Sequence, residues 1–272
     1  MKYKLIACDL DGTLFGSDGK MSEQNSEAIK ELCDLGVHFV PASGRTYSDI
    51  PPEVREHRSV RYIIYSNGAA VIDKQTGERI TFCMPRDLSR SVLDLLFSTR
   101  SHVTVRRNGN TYFDAEKNDG ESFSYYNVWS VHADLLLEYG SPIENFERET
   151  VEYDNVEMIS AFFKSEDDLD KARKILSEDS RLNVVSACPY NLEINYKEAS
   201  KGRALCALAN SLSIPIEETV AMGDSENDIS MLESAGLGLS MKNAKDMVKE
   251  RSDEVICRND EHAVQFVKEK FI

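Results

Sequence analysis

The sequence predicts an α/β protein: a doubly wound parallel sheet whose chain is interrupted by an inserted α+β module. Three observations carry the prediction. Short apolar runs alternate with amphipathic segments at both ends of the chain, as βαβ units require. The alternation lapses between about residues 85 and 186, where hairpin-like strands take over. Polar residues able to do chemistry recur directly after the apolar runs, where an open α/β sheet binds its ligands.

Taken in order, Lys4–Asp9 is a short apolar run suited to a buried strand. Ser22 is placed to cap a helix carrying Ala28, Ile29, Leu32 and Cys33 on one face, stopped at Gly36. Val37–Ala42 is a second strand. Ser43 to His57 contains a helix interrupted near Pro51 and Pro52, and Arg61–Tyr65 is a third strand. Ala69–Ile72 and Arg79–Cys83 flank a turn over Asp73–Glu78 and read as a hairpin. The middle holds a helix over Leu88–Phe97, strands over His102–Arg106 and Thr111–Asp114, and an aromatic, acidic stretch without a clear period. A strand (Glu157–Phe163), a helix (Glu166–Leu176) and a strand (Leu182–Ser186) follow. Then βα alternation returns: helices over Lys201–Leu212, Ser225–Ser234, Ala244–Glu250 and Glu261–Lys270, with strands over Thr219–Met222, Leu237–Ser240 and Glu254–Ile256. The expected division is a Rossmann-like core of residues 1–84 and 187–272, and an inserted cap of residues 85–186.

Composition narrows the function. The 272 residues, 41% hydrophobic and 29% charged, are those of an ordinary globular protein, and no segment approaches the ~20 apolar residues that cross a bilayer. A formal net charge of −15 argues against nucleic acid or an anionic membrane as partner, since both need a basic face. It leaves a phosphorylated small molecule open, because screening beyond ~8 Å lets the local charges of a cleft decide. Six scattered cysteines, with no Cys-x-x-Cys, read as thiols and not as disulfides or a zinc site. The N-terminus lacks a signal-peptide core, so the expected location is the cytoplasm. Oligomeric state is not legible.

Four polar groups fall at strand ends or helix starts. Asp9 and Asp11 follow the first strand and can approach one cavity if the chain coils tightly, which Gly12 permits. A carboxylate can attack phosphorus to give an acyl phosphate, and a second carboxyl beside it can protonate the leaving oxygen and later activate water. Asp-Gly is equally a turn signal, and Asp at a strand end often only caps a turn. Asp224 and Asp228 flank a strand-to-helix junction and offer oxygen ligands suited to Mg²⁺; an N-cap accounts for the same residues. Ser43 and Gly44 offer a hydroxyl and backbone N–H groups to an anion, or a simple turn. Lys201 offers a point charge for phosphate, and Arg45 either a substrate contact or surface charge. The combination argues for chemistry. Four carboxylates repel a phosphate dianion unless cations accompany them, and Mg²⁺ with Lys201 supplies three positive charges in the same place.

The segments Asp9-Leu-Asp-Gly-Thr-Leu14, Ala42-Ser-Gly-Arg45, Ser200-Lys-Gly202 and Gly223-Asp-Ser-Glu-Asn-Asp228 closely resemble the four motifs of the haloacid dehalogenase-like superfamily. Their spacing resembles that of its Cof-type phosphatases, with a large α/β cap (subclass IIB) between the second and third motifs. The resemblance implies a Mg²⁺-dependent phosphatase of a small phosphate monoester, a sugar phosphate or similar metabolite. It implies Asp9 as nucleophile and metal ligand, Asp11 as acid/base with its backbone carbonyl on the metal, and Asp224 as a further ligand. Lys201 is implied as a catalytic cation, Asp228 and Arg45 as supporting groups, and Leu10, Ser43, Gly44, Lys201 and Asn227 as phosphate-binding. Asn67-Gly68-Ala69 also looks like a family feature at the sheet edge. Phe123, Tyr125, Tyr126 and Trp129 in the cap read as packing, with stacking on a substrate as the alternative. A phosphomutase or phosphotransferase sharing the phospho-aspartate is a second reading, and a receiver-like phospho-acceptor a third.

Overall fold

A four-residue run with no polar face belongs inside a sheet, and Leu5–Cys8 (β1) is buried throughout. The structure, a computed structural model, describes residues 2–186 and 188–272. The chain divides into two compact units, one of Met1–Arg45, Ile50–Thr81 and Ala199–Ile272, the other of Thr46–Asp49 and Phe82–Glu198.

In the first unit β1 leads to Glu23–Asp34 (α1), where the Ser22 hydroxyl accepts the Asn25 N–H as the sequence predicts. His38–Pro41 (β2) follows. Pro51 and Pro52 do not interrupt a longer helix. Pro52 opens a short one, Pro52–Arg55 (α2), because a proline in the first helical turn forfeits no hydrogen bond. Tyr62–Tyr65 (β3), Ala70–Asp73 (β4) and Arg79–Thr81 (β5) form an antiparallel sheet, so the third predicted strand joins a meander. One parallel bridge, Ala42 to Ile64, ties that meander to the segment after β2.

The second unit contributes Arg86–Phe97 (α3), Ser101–Arg107 (β6) and Asn110–Asp114 (β7). The stretch without a clear period resolves into Gly120–Tyr125 (α4), Ser130–Tyr139 (α5), Ser141–Ile143 (β8) and Phe146–Thr150 (α6). Val156–Phe163 (β9), Glu166–Leu176 (α7), Leu182–Val185 (β10) and Asn191–Tyr196 (β11) complete it. The sheet order is β10-β11-β9-β6-β7-β8. The expected division assigned β11 to the core; it instead pairs antiparallel with both β10 and β9, from Asn191↔Phe162 to Asn195↔Met158. The break thus comes after β11, whose alternation of Leu192 and Ile194 with polar residues fits a sheet packed on one face. Ala187, at the expected boundary, and Met1 lie outside the described residues. Phe123 is buried against Phe113 and Phe162, whereas Tyr125 and Trp129 are about half exposed.

The chain returns to the first unit through Lys201–Ser211 (α8), Thr219–Gly223 (β12), Ile229–Ser234 (α9), Leu237–Ser240 (β13), Asp246–Lys249 (α10), Glu254–Val255 (β14) and Ala263–Phe271 (α11). Its sheet is parallel, in the order β14-β13-β12-β1-β2. The chain steps from β1 to β2 on one side, then resumes at β12 on the other, so strand order reverses between β1 and β12. Loops diverge there, opening a crevice at the carboxyl edge. No helix among the described residues is long and apolar enough to cross a membrane.

Candidate active site

Parallel register decides what meets at that crevice. Cys8 is level with Met222 and with Pro41, so Asp9, Ser43 and Asp224 leave the sheet along one rim. The Asp9 N–H donates to the Met222 carbonyl at 3.0 Å, extending the ladder by one residue. The chain then coils as the motif requires. The N–H groups of Leu14 and Phe15 return to the carbonyls of Asp9 and Leu10, and Gly12 takes φ +84°. A Cβ on Gly12 would lie 2.6 Å from Asp224 Oδ2, so this turn admits glycine on both conformational and steric grounds. Thr13 hangs its buried hydroxyl toward Asp224 Oδ1, and Asn243 Nδ2 donates to the Gly12 carbonyl at 2.8 Å.

Lys201 opens α8 behind its N-cap Ser200 and is fully buried, not a solvated surface lysine. Its ammonium donates to Asp9 Oδ1 at 2.6 Å and to Asp228 Oδ1 at 2.7 Å. The other Asp228 oxygen accepts the N–H groups of Asp224 and Ser225 at 3.0 and 2.9 Å. With both oxygens engaged, Asp228 supports its neighbours and holds the β12 turn. That grip also divides the expected Ser225–Ser234 helix into a 3₁₀ turn over Glu226–Asp228 followed by α9.

Asp9, Asp224 and Asp228 bring carboxylate oxygens within 4.8 Å of one another. Three carboxylates against one ammonium leave a formal charge of −3 + 1 = −2. Burial, then the Asp228 charge, push the Asp9 carboxyl well above its usual range, against the pull of Lys201. Burial and Asp228 likewise lift Asp224 to about 6. Burial alone would discharge Lys201, but Asp228 and Asp9 outweigh it and raise its pKa, so the ammonium stays charged. The excess negative charge and the hard oxygen donors fit a divalent cation of the Mg²⁺ type, with Asp9 and Asp224 as the carboxylates still able to ligate.

Not every predicted group enters the cluster through its side chain. Asp11 is half exposed and turns to Arg45, which holds it bidentately from Nε at 2.9 Å and Nη2 at 2.7 Å. Leu10 is buried within the coil. Ser43 is buried, its Oγ accepting the Arg45 N–H at 3.1 Å. Asn227 donates through Nδ2 to Asn67 Oδ1 at 2.9 Å. Thr13 and Asn243 escaped the sequence reading: Thr13 lies inside a quoted motif, but nothing near Asn243 signals a contact with Gly12.

A buried lysine shared by two carboxylates at the carboxyl edge of a parallel sheet fits a phosphoryl-transfer hydrolase of the α/β class. A family model described as haloacid dehalogenase-like hydrolase matches residues 6–267. The chain belongs to that family and is an enzyme of its phosphatase type. It is 33% identical over 279 aligned residues to Phosphatase YwpJ of Bacillus subtilis, covering 96% of this chain and 97% of that one. It is 30% identical to the 5-amino-6-(5-phospho-D-ribitylamino)uracil phosphatase YwtE of the same organism, covering 97% and 96%. A crystal structure of a haloacid dehalogenase-like hydrolase from Bacteroides thetaiotaomicron superimposes with TM-score 0.82 at 25% identity, over 99% of this chain and 100% of that one. Family membership removes the non-enzymatic phospho-acceptor reading.

Proposed function

We propose that this enzyme hydrolyses a small phosphorylated metabolite, a sugar phosphate or a similar monoester, through a phospho-aspartate on Asp9. The observation that carries the reading is the buried Lys201 bridging Asp9 and Asp228 beside Asp224. A lysine this enclosed fixes one Asp9 oxygen and leaves the other to attack. Asp9 Oδ2 forms the new bond to phosphorus as the ester oxygen leaves. Asp11, one turn of coil away, gives that oxygen its proton and later takes one from the water that cleaves the acyl phosphate. For this Asp11 exchanges its Arg45 contact for the substrate, and Arg45 restores its position afterwards. Ser43, the Gly44 N–H, the Leu10 backbone, Lys201 and Asn227 receive the phosphoryl oxygens.

Asp9 and Asp224, with the Asp11 backbone carbonyl, are the groups that would hold Mg²⁺. The ion would offset the negative charge of cluster and substrate together. The relative YwtE acts, by its name, on a phosphorylated ribityl compound, which supports a phosphorylated polyol or sugar as the class to screen first.

The test is phosphate release from p-nitrophenyl phosphate and from a panel of sugar phosphates. Asp9→Asn should abolish turnover while leaving the circular dichroism spectrum unchanged; retained activity sinks the mechanism. Chelation with EDTA should stop the wild-type enzyme, and Mg²⁺ should restore it. Transfer of the phosphoryl group to a second sugar, without matching inorganic phosphate, would make the enzyme a phosphotransferase.

A further inference from the structure

Three consecutive residues after β3 have left-handed backbone: Ser66, Asn67 and Gly68, at φ 49°, 55° and 86°. Two of them carry side chains, for which this region is costly, and such strain persists where surrounding structure demands it. What demands it here is contact with several segments of the site. On one side the Ser66 N–H donates to the Arg45 carbonyl at 2.8 Å and the Asn67 N–H to the Ser43 carbonyl at 3.1 Å. On another, Gly68 lies so close to the start of α8 that a Cβ would be 2.2 Å from the Ser200 carbonyl oxygen and 2.7 Å from the Lys201 nitrogen. On the third, Asn67 Oδ1 accepts from Asn227 Nδ2. The Asn67 amide also lies over Gly44, where a Cβ would meet Oδ1 at 2.9 Å.

We propose that Asn67 is a positioning residue of the phosphate pocket: its amide aims Asn227 and covers the Gly44 backbone, so that both present their N–H groups to one phosphoryl oxygen set. The inference rests on the proposed phosphate role of Asn227 and goes beyond it by coupling that residue to a turn outside the four motifs. The left-handed turn is what lets one amide reach both segments, because an extended residue at 67 would direct its side chain out of one face of the sheet instead. An amide suits the task better than a carboxylate, which would accept from Asn227 equally well but repel the dianion.

A double-mutant cycle tests it, read as the inhibition constant of inorganic phosphate together with KM and kcat. Asn67→Gly removes the amide yet keeps the left-handed backbone accessible, so folding is not at stake. It should weaken phosphate inhibition by about tenfold, the worth of a side-chain hydrogen bond near 1.4 kcal/mol, and raise KM far more than it lowers kcat. Asn227→Ala should do the same. The double variant should be no worse than the single Asn227→Ala. Gly44→Ala, whose Cβ displaces the amide, should reproduce the loss, and adding it to Asn67→Gly should weaken inhibition no further than Asn67→Gly alone. Multiplying losses in the double variant, or Asn67→Gly leaving phosphate inhibition unchanged while Asn227→Ala weakens it, overturns the proposal alone. Unchanged inhibition in Asn227→Ala overturns the assignment of Asn227 to phosphate binding.

Discussion

Replacing Lys201 by Met keeps most of the side-chain volume and removes the single cation of the carboxylate cluster. The ammonium is fully buried and within 2.7 Å of two carboxylates, Asp9 and Asp228, which are themselves nearly or wholly buried. Removing one partner of such a pair leaves charge uncompensated in a low-dielectric site, a loss of about 3–5 kcal/mol. For a chain of this size that is on the order of 6–20 °C in Tm. The carboxylates can relieve part of the repulsion by taking up a proton, so the deficit should shrink at lower pH and grow toward pH 8. Adding Asp228→Asn removes one of the stranded charges and should recover much of the lost stability without recovering activity, since nothing then fixes the Asp9 oxygen. Urea unfolding followed by circular dichroism, run beside p-nitrophenyl phosphate turnover, measures both. A Lys201→Met enzyme within about 1 kcal/mol of wild type, or one retaining a tenth of its turnover, refutes the account of Lys201 as a buried catalytic cation.

Two further outcomes follow from particular residues. His102, buried against Phe113 and Phe123, has its pKa lowered to about 4 by burial, while its Nε2 donates to the Lys117 carbonyl. The unfolded chain therefore binds this proton at higher pH than the folded one, so stability should fall as pH drops from about 6.5 toward 4, by up to ~3 kcal/mol. His102→Gln should flatten that acid limb in denaturation curves; an unaltered limb assigns it to other groups. Gly12→Ala meets both the left-handed backbone and Asp224 Oδ2. It should cost about 1 kcal/mol of stability and raise the Mg²⁺ concentration for half-maximal turnover, with an unchanged Mg²⁺ requirement counting against Asp224 as a ligand.

Local sequence carried the elements whose signal is local. Ser22, Ser165 and Ser200 cap their helices because a hydroxyl at that position satisfies an N–H the helix leaves open. The runs at β1, β2 and β12 announce buried strands because, His38 at the start of β2 apart, every residue in them is apolar or small. Where the signal depended on distant partners, the reading drifted. The third strand and the hairpin after it were legible, but the antiparallel pairing of β3 with that hairpin was not, since pairing direction is set by the partner. Strand β11 was passed over because its polar residues face one side of a sheet assembled from β9 and β10. Pro52 was misplaced because a proline that breaks a helix and one that begins it look alike until the preceding turn is known.

The same division holds at the site. The chemistry of the acidic, hydroxyl and lysine residues was present in their identity and their order after strands, which is why Asp9, Asp224 and Lys201 could be named without coordinates. Only tertiary structure made Lys201 fully buried and shared it between Asp9 and Asp228. Only it gave both Asp228 oxygens to protein donors, turned Asp11 to Arg45, and set Asn67 against Gly44 and Asn227. The physical reason is range. Strand periodicity, caps and turn residues act over a few positions of the chain, whereas burial, charge balance and the direction of a side chain depend on atoms that the parallel sheet brings together from hundreds of residues apart.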